Sequence, residues 1–81
     1  MKTSQEVASY YQLCVGAYPD DYDTVMSLRD DGVYSQYELE HACAEIAFVR
    51  DHDRLPEWAI TIRSAELVDG AYIFVYRGKH D

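Results

Sequence analysis

The sequence predicts an α+β fold: three helices followed by a C-terminal antiparallel β-hairpin, a single small acidic domain over residues 1–81. Three observations carry this. Apolar residues recur at three- and four-residue spacing as far as His52, the pattern changes to period two after Pro56, and Asp69-Gly70 stands between two alternating runs. A chain of 81 residues buries roughly 60–65% of its unfolded surface, which allows one core. With 48% hydrophobic and 14% aromatic residues, it carries too much apolar surface for a disordered acidic tail.

The first helix is expected over about 4–18. Thr3 and Glu6 have capping-box spacing, and Val7, Tyr10, Tyr11, Cys14, Ala17 and Tyr18 recur at helical period. The remaining strip, Gln5, Ser9, Gln12 and Gly16, is narrow and uncharged, so this helix is expected to be buried on most sides. Pro19 stops or kinks it. A second, short helix is expected over about 21–30, with Asp20, Asp21 and Asp23 at its start, where the helix dipole favours carboxylates. Asp31-Gly32 then supplies a left-handed stop.

The third helix, about 35–52, is marked by a second capping box, Ser35 with Glu38, and by Tyr34 and Leu39 at staple spacing. Leu39, Ala42, Cys43, Ile46 and Val49 form its core face. Tyr37, His41, Ala44 and Phe48 make a second stripe on the opposite side, rimmed by Glu40, Glu45 and Asp51. Either the helix lies centrally and both stripes are core, or the second is an aromatic anchor inside an acidic rim.

Strands are expected over about 58–67 and 71–77. Asp69-Gly70 suits a type I′ turn, which needs two positive φ angles. Val68 then faces Ala71, and one-for-one pairing outward sets Arg63 opposite Tyr76. One face would carry Trp58, Ile60, Ile62, Ile73 and Val75, and the other Ala65, Leu67, Tyr72, Phe74 and Tyr76. An isolated hairpin is marginal in water, so at least one face must lie on the helices.

Cys14 and Cys43 fall on apolar helix faces, where free thiols serve as small hydrophobes in a reducing compartment; a disulfide between the two helices is also geometrically possible. His41 and Glu45 have the spacing of a helical metal pair, and Asp51-His52-Asp53 is a cluster of ligand types, but no third partner is placed; they read as surface polar residues. A calcium loop over Ser27–Glu38 would put Arg29 at a ligand position, where it cannot coordinate. No Gly-rich phosphate loop or nucleophile motif is present, so neither enzymatic activity nor a metal or cofactor is expected. No apolar run approaches membrane-spanning length and the first residues are polar, which points to a cytoplasmic, unexported chain.

Fifteen acids against seven bases leave a net charge of −8, which opposes direct binding to DNA, RNA or anionic lipid. The charge is uneven. Asp20, Asp21, Asp23, Asp30, Asp31, Glu38, Glu40 and Glu45 are opposed in their segment by Arg29 alone, whereas the last strands are neutral. Such a lobe can be a solvated face holding helix caps, or it can imitate nucleic-acid phosphates and occupy a basic groove on another protein. The tyrosines interleaved with the acids favour the second reading, because tyrosine gives rigid amphipathic contact area. The candidate contact residues are Asp20, Asp21, Tyr22, Asp23, Asp30, Asp31, Tyr34, Tyr37, Glu38, Glu40, Glu45 and Phe48.

In size, acidity and want of catalytic residues the whole chain resembles the small inhibitors that phages and mobile elements carry against bacterial defence, anti-CRISPR and anti-restriction proteins among them. The resemblance is one of composition and transfers no residue. It implies a stoichiometric protein inhibitor, often one that blocks a nucleic-acid-binding surface, and the charge reading points independently to a basic nucleic-acid-binding protein or complex as the target. The alternative expectation is an assembly module that forms a homodimer, or joins a phage or operon complex, through the hairpin and the first helix.

Overall fold

The computed structural model describes the backbone of residues 2–78 and the side chains of 5–29 and 32–78. Helix α1 spans Lys2–Ala17, α2 Pro19–Ser27 and α3 Gln36–His52; a 3-10 turn, Leu28–Asp31, follows α2, and strands β1 (Ile62–Val68) and β2 (Ala71–Tyr76) form a two-stranded antiparallel sheet. This is the α+β order expected, within a few residues at each boundary.

The breaks follow local chemistry. Pro19 opens α2 at its first position, where a fixed φ is pre-set for helix and the missing N–H would have had no partner. The second helix is shorter than expected because its last turn tightens to 3-10 before Gly32 reverses the chain at φ 70°. Both halves of the Ser35 capping box form: the Ser35 hydroxyl accepts from the Glu38 N–H at 3.2 Å, and the Ser35 N–H donates to the Glu38 carboxylate at 2.8 Å. Asp53 ends α3 in the left-handed region at φ 59°, which its short polar side chain tolerates. The Thr3 side chain of the first proposed capping box lies outside the described residues, and Glu6 instead accepts the Trp58 indole N–H at 2.9 Å.

Helix α3 is the centre of the molecule. Residues 41–49 are all buried, so both of its stripes are core, with α1, α2 and β1 packed around it. The outcome for α1 is the reverse of what was expected. Among its described side chains only Cys14 is fully buried, while Ala8, Val15 and Ala17 face solvent. A chain of this size can enclose one helix, and α3 takes that place. Cys14 and Cys43 are buried and free, and the Cys14 thiol donates to the Tyr18 carbonyl at 3.9 Å; the neighbouring Cys14 thiol, with burial, pushes the Cys43 thiol well up.

The hairpin turn is as expected, with φ 50° at Asp69 and 81° at Gly70. Pairing runs Val68↔Ala71 to Ser64↔Val75 one for one, then a β-bulge at Arg63 sets Ile62, and not Arg63, opposite Tyr76. The extra residue changes which face the strand's start presents. Ile62 therefore leaves the outer face assigned to it and enters the core beside Tyr76, completely buried. Burial of Tyr76 pushes its phenol up to about 12. Tyr72 and Phe74 share that inward face, whereas Ile73 and Val75 are 50% and 42% exposed. The strand also starts four residues later than expected. Pro56 accepts from the Ala59 N–H at 3.2 Å in a turn, which takes Trp58 and Ile60 out of the sheet. Among the described residues, no helix is long and apolar enough to cross a membrane.

Candidate functional site

The acids at the start of α2 split by direction. Asp20 and Asp23 are exposed, and the Asp20 carbonyl accepts from the Thr24 hydroxyl at 2.9 Å within the helix. Asp21 turns inward onto Arg50 of α3, which grips it with two N–H groups, Nη2 lying 2.9 Å from Oδ1. The bond to Asp21 holds the Arg50 guanidinium above its ordinary pKa. Tyr22 is half-buried, its ring 6.2 Å from that of Tyr11. Burial, then the Tyr22 hydroxyl, pushes the Tyr11 phenol up to about 12. Asp30 and Asp31 lie in the 3-10 turn, and their side chains fall outside the described residues.

The first turns of α3 carry the next group. Gln36 donates to Glu40 at 2.9 Å and approaches the Met26 sulfur at 4.0 Å, which joins α2 and α3 into one surface. Tyr37 stands on that end of α3, 66% exposed. Glu38 is committed to the capping box. Tyr34 is half-buried, and its hydroxyl donates to the Arg77 carbonyl at 2.9 Å, so it fastens the end of β2 to the helices.

Two candidate contacts leave the surface altogether. Phe48 is 7% exposed and packs edge-on against Tyr10 and Trp58. Glu45 is completely buried. Its carboxylate accepts the backbone N–H groups of Ile60, Thr61 and Ile62 at 2.7–3.2 Å and bonds His41 Nδ1. Glu45 and His41 are thus neither a rim nor a surface metal pair. The carboxylate caps the incoming end of β1, giving three successive amides an acceptor, two of them on the buried residues Thr61 and Ile62.

What remains at the surface is Asp20 and Asp23 on α2 and Tyr37 on the first turn of α3, with Glu40 half-buried beside it. Among the described residues, no Lys or Arg forms an ion pair with these three carboxylates, and no group of three His, Cys, Asp or Glu is placed to hold a metal ion. Exposed carboxylates and an exposed tyrosine can meet cationic side chains and desolvate part of them. Sequence reasoning missed a cleft where α1, the end of α3 and the turn at Trp58 meet. Its aromatic walls come from separate segments, and their only trace in the sequence is the high aromatic content. No family model, curated protein or solved structure matches this chain.

Proposed function

We propose that this chain is a non-catalytic acidic protein that binds the basic surface of a nucleic-acid-binding protein or complex and inhibits it by competition. The observation that supports this most is that Asp20 and Asp23 on α2 are exposed carboxylates without an ion-pair partner among the described residues, while the exposed Tyr37 and the half-buried Glu40 stand at the start of α3. Asp21 belongs to the fold as much as to the surface, because Arg50 depends on it. The informative variant is therefore Asp20→Lys with Asp23→Lys, which reverses exposed charge and leaves the Asp21–Arg50 pair intact. Each substitution removes a dipole interaction worth up to about 1 kcal/mol, so the variant should stay folded. Its affinity for a partner captured from bacterial lysate should fall on the order of a hundredfold, since like charges brought together at an interface cost several kcal/mol. Wild-type binding should also weaken steeply with added salt, screened over about 8–10 Å at physiological ionic strength. Unchanged affinity in the variant, or at high salt, contradicts the proposal.

A second reading is favoured by the outer face of the hairpin, where Val68, Ile73 and Val75 are 42–50% exposed on a segment with no net charge. An assembly module would use that face against a second copy or another subunit. In that case Ile73→Asp abolishes the complex while the charge-reversed variant still forms it.

A further inference from the structure

A cleft of about 410 Å³ opens where α1, the C-terminal end of α3 and the turn after Pro56 meet. Four rings wall it. Phe48 lies 4.3 Å from His52, 5.1 Å from Tyr10 and 5.6 Å from Trp58 between ring centroids, the last two edge-on. The walls are held in place by hydrogen bonds. The Trp58 indole N–H is bonded to Glu6 at 2.9 Å, and the Tyr10 hydroxyl lies 2.6 Å from His52 Nε2 and donates to Asp51 at 3.3 Å. Fixed aromatic faces with negative charge at the rim are the chemistry that receives a cation.

Charge selects among cations and anions here. Glu6 and Glu57 line the cleft, Asp51 stands next to it, and Arg54 is the one guanidinium on its wall. Among the described residues neither Glu6 nor Glu57 forms an ion pair, so two carboxylates remain to be neutralised. The molecule also contains its own example of the contact. The Arg54 guanidinium sits 5.0 Å over the Phe48 ring, while its nearest hydrogen bond, to the Leu55 carbonyl, is long at 3.4 Å. Stacking holds it there more than hydrogen bonding does. A nucleotide phosphate would meet the same carboxylates and be repelled.

We infer that this cleft is a receptor for an arginine side chain presented by a protein partner, its guanidinium stacked on the half-buried Trp58 ring and its charge met by Glu6 and Glu57. A planar guanidinium suits an indole face better than the compact, strongly hydrated ammonium of lysine. None of the residues of the acidic α2 surface takes part, so the inference stands apart from the competition reading.

Trp58 is the chain's one tryptophan, which makes its fluorescence a report on this cleft. The test is a titration with acetyl-Gly-Arg-Gly-amide against the same peptides containing citrulline or lysine. The arginine peptide should give a saturable change, and the citrulline peptide, alike in shape but uncharged, should bind about tenfold more weakly or worse. Lysine should fall between them. Glu6→Gln should weaken the arginine peptide, Arg54→Ala should tighten it by removing a like charge from the cleft wall, and the Asp20→Lys, Asp23→Lys variant should titrate as wild type. No saturable change, equal binding of citrulline, an unaffected Glu6→Gln variant, or Arg54→Ala binding no tighter overturns the assignment. Loss of partner capture in the α2 variant with peptide binding intact would instead locate the competition surface on α2 and leave the cleft assignment standing.

Discussion

Glu45→Ala should unfold the protein or bring it to the edge of unfolding. Removing one member of a buried, hydrogen-bonded charged set costs about 3–5 kcal/mol, because the groups left behind lose their partner without regaining water. Here the orphans are the amides of Ile60, Thr61 and Ile62 together with His41, all held on one carboxylate. A domain of this length has roughly 4–12 kcal/mol in total. The loss is also directional, since these amides are where the chain enters β1, so the hairpin should detach first. Glu45→Gln keeps one acceptor oxygen but turns an N–H donor towards donors, and should recover only part of the loss. Urea unfolding followed by circular dichroism measures both. An alanine variant with wild-type stability would mean that water replaces the carboxylate at the head of β1.

Arg50→Ala is the second large effect, expected to cost about 1–3 kcal/mol through a lost charge-assisted pair and lost stacking. Arg50 joins three parts of the chain. It grips Asp21 of α2, and its guanidinium lies 5.7–5.8 Å from the ring centroids of Tyr18, Tyr72 and Phe74. Arg50→Lys preserves charge but neither the fork nor the plane, so it should recover less than half of the loss. The measurement is again the urea midpoint, with hydrogen exchange on α2 as a local readout. If Arg50→Lys restores full stability, charge alone sufficed and the stacking over Tyr72 and Phe74 contributes nothing.

These two residues show where sequence reasoning stops. Features set by a few neighbouring residues were legible: the capping box at Ser35, the left-handed Gly32 and the Asp69-Gly70 turn depend on local φ angles and on side chains within reach of their own backbone. Glu45 was read as a rim acid because helical spacing places it beside Glu40 and Asp51. Its burial is decided by amides fifteen to seventeen positions away, which nothing near Glu45 signals. The Arg63 bulge is similar. Alternation of Ile60, Ile62 and the residues beyond gives no sign of an extra residue, yet that residue moves Ile62 into the core. Helix α1 misled for a different reason: its apolar positions suit a buried helix, but α3 takes the enclosed place. Of the proposed contacts, Asp20, Asp23 and Tyr37 do face solvent, since charge at a helix start and a tyrosine off the core stripe need no tertiary partner.

The central claim, that the acidic surface stands in for nucleic acid, is tested most directly by competition. A partner captured on the immobilised protein is challenged with duplex DNA and, separately, with RNA, at moderate salt. The chain itself should bind neither, because its net charge of −8 has the wrong sign for counterion release. The account predicts that one of the two nucleic acids elutes the partner in proportion to its concentration, and that the Asp20→Lys, Asp23→Lys variant is displaced at far lower concentration than wild type. A stable ternary complex, in which the partner holds nucleic acid and this protein together, would contradict it.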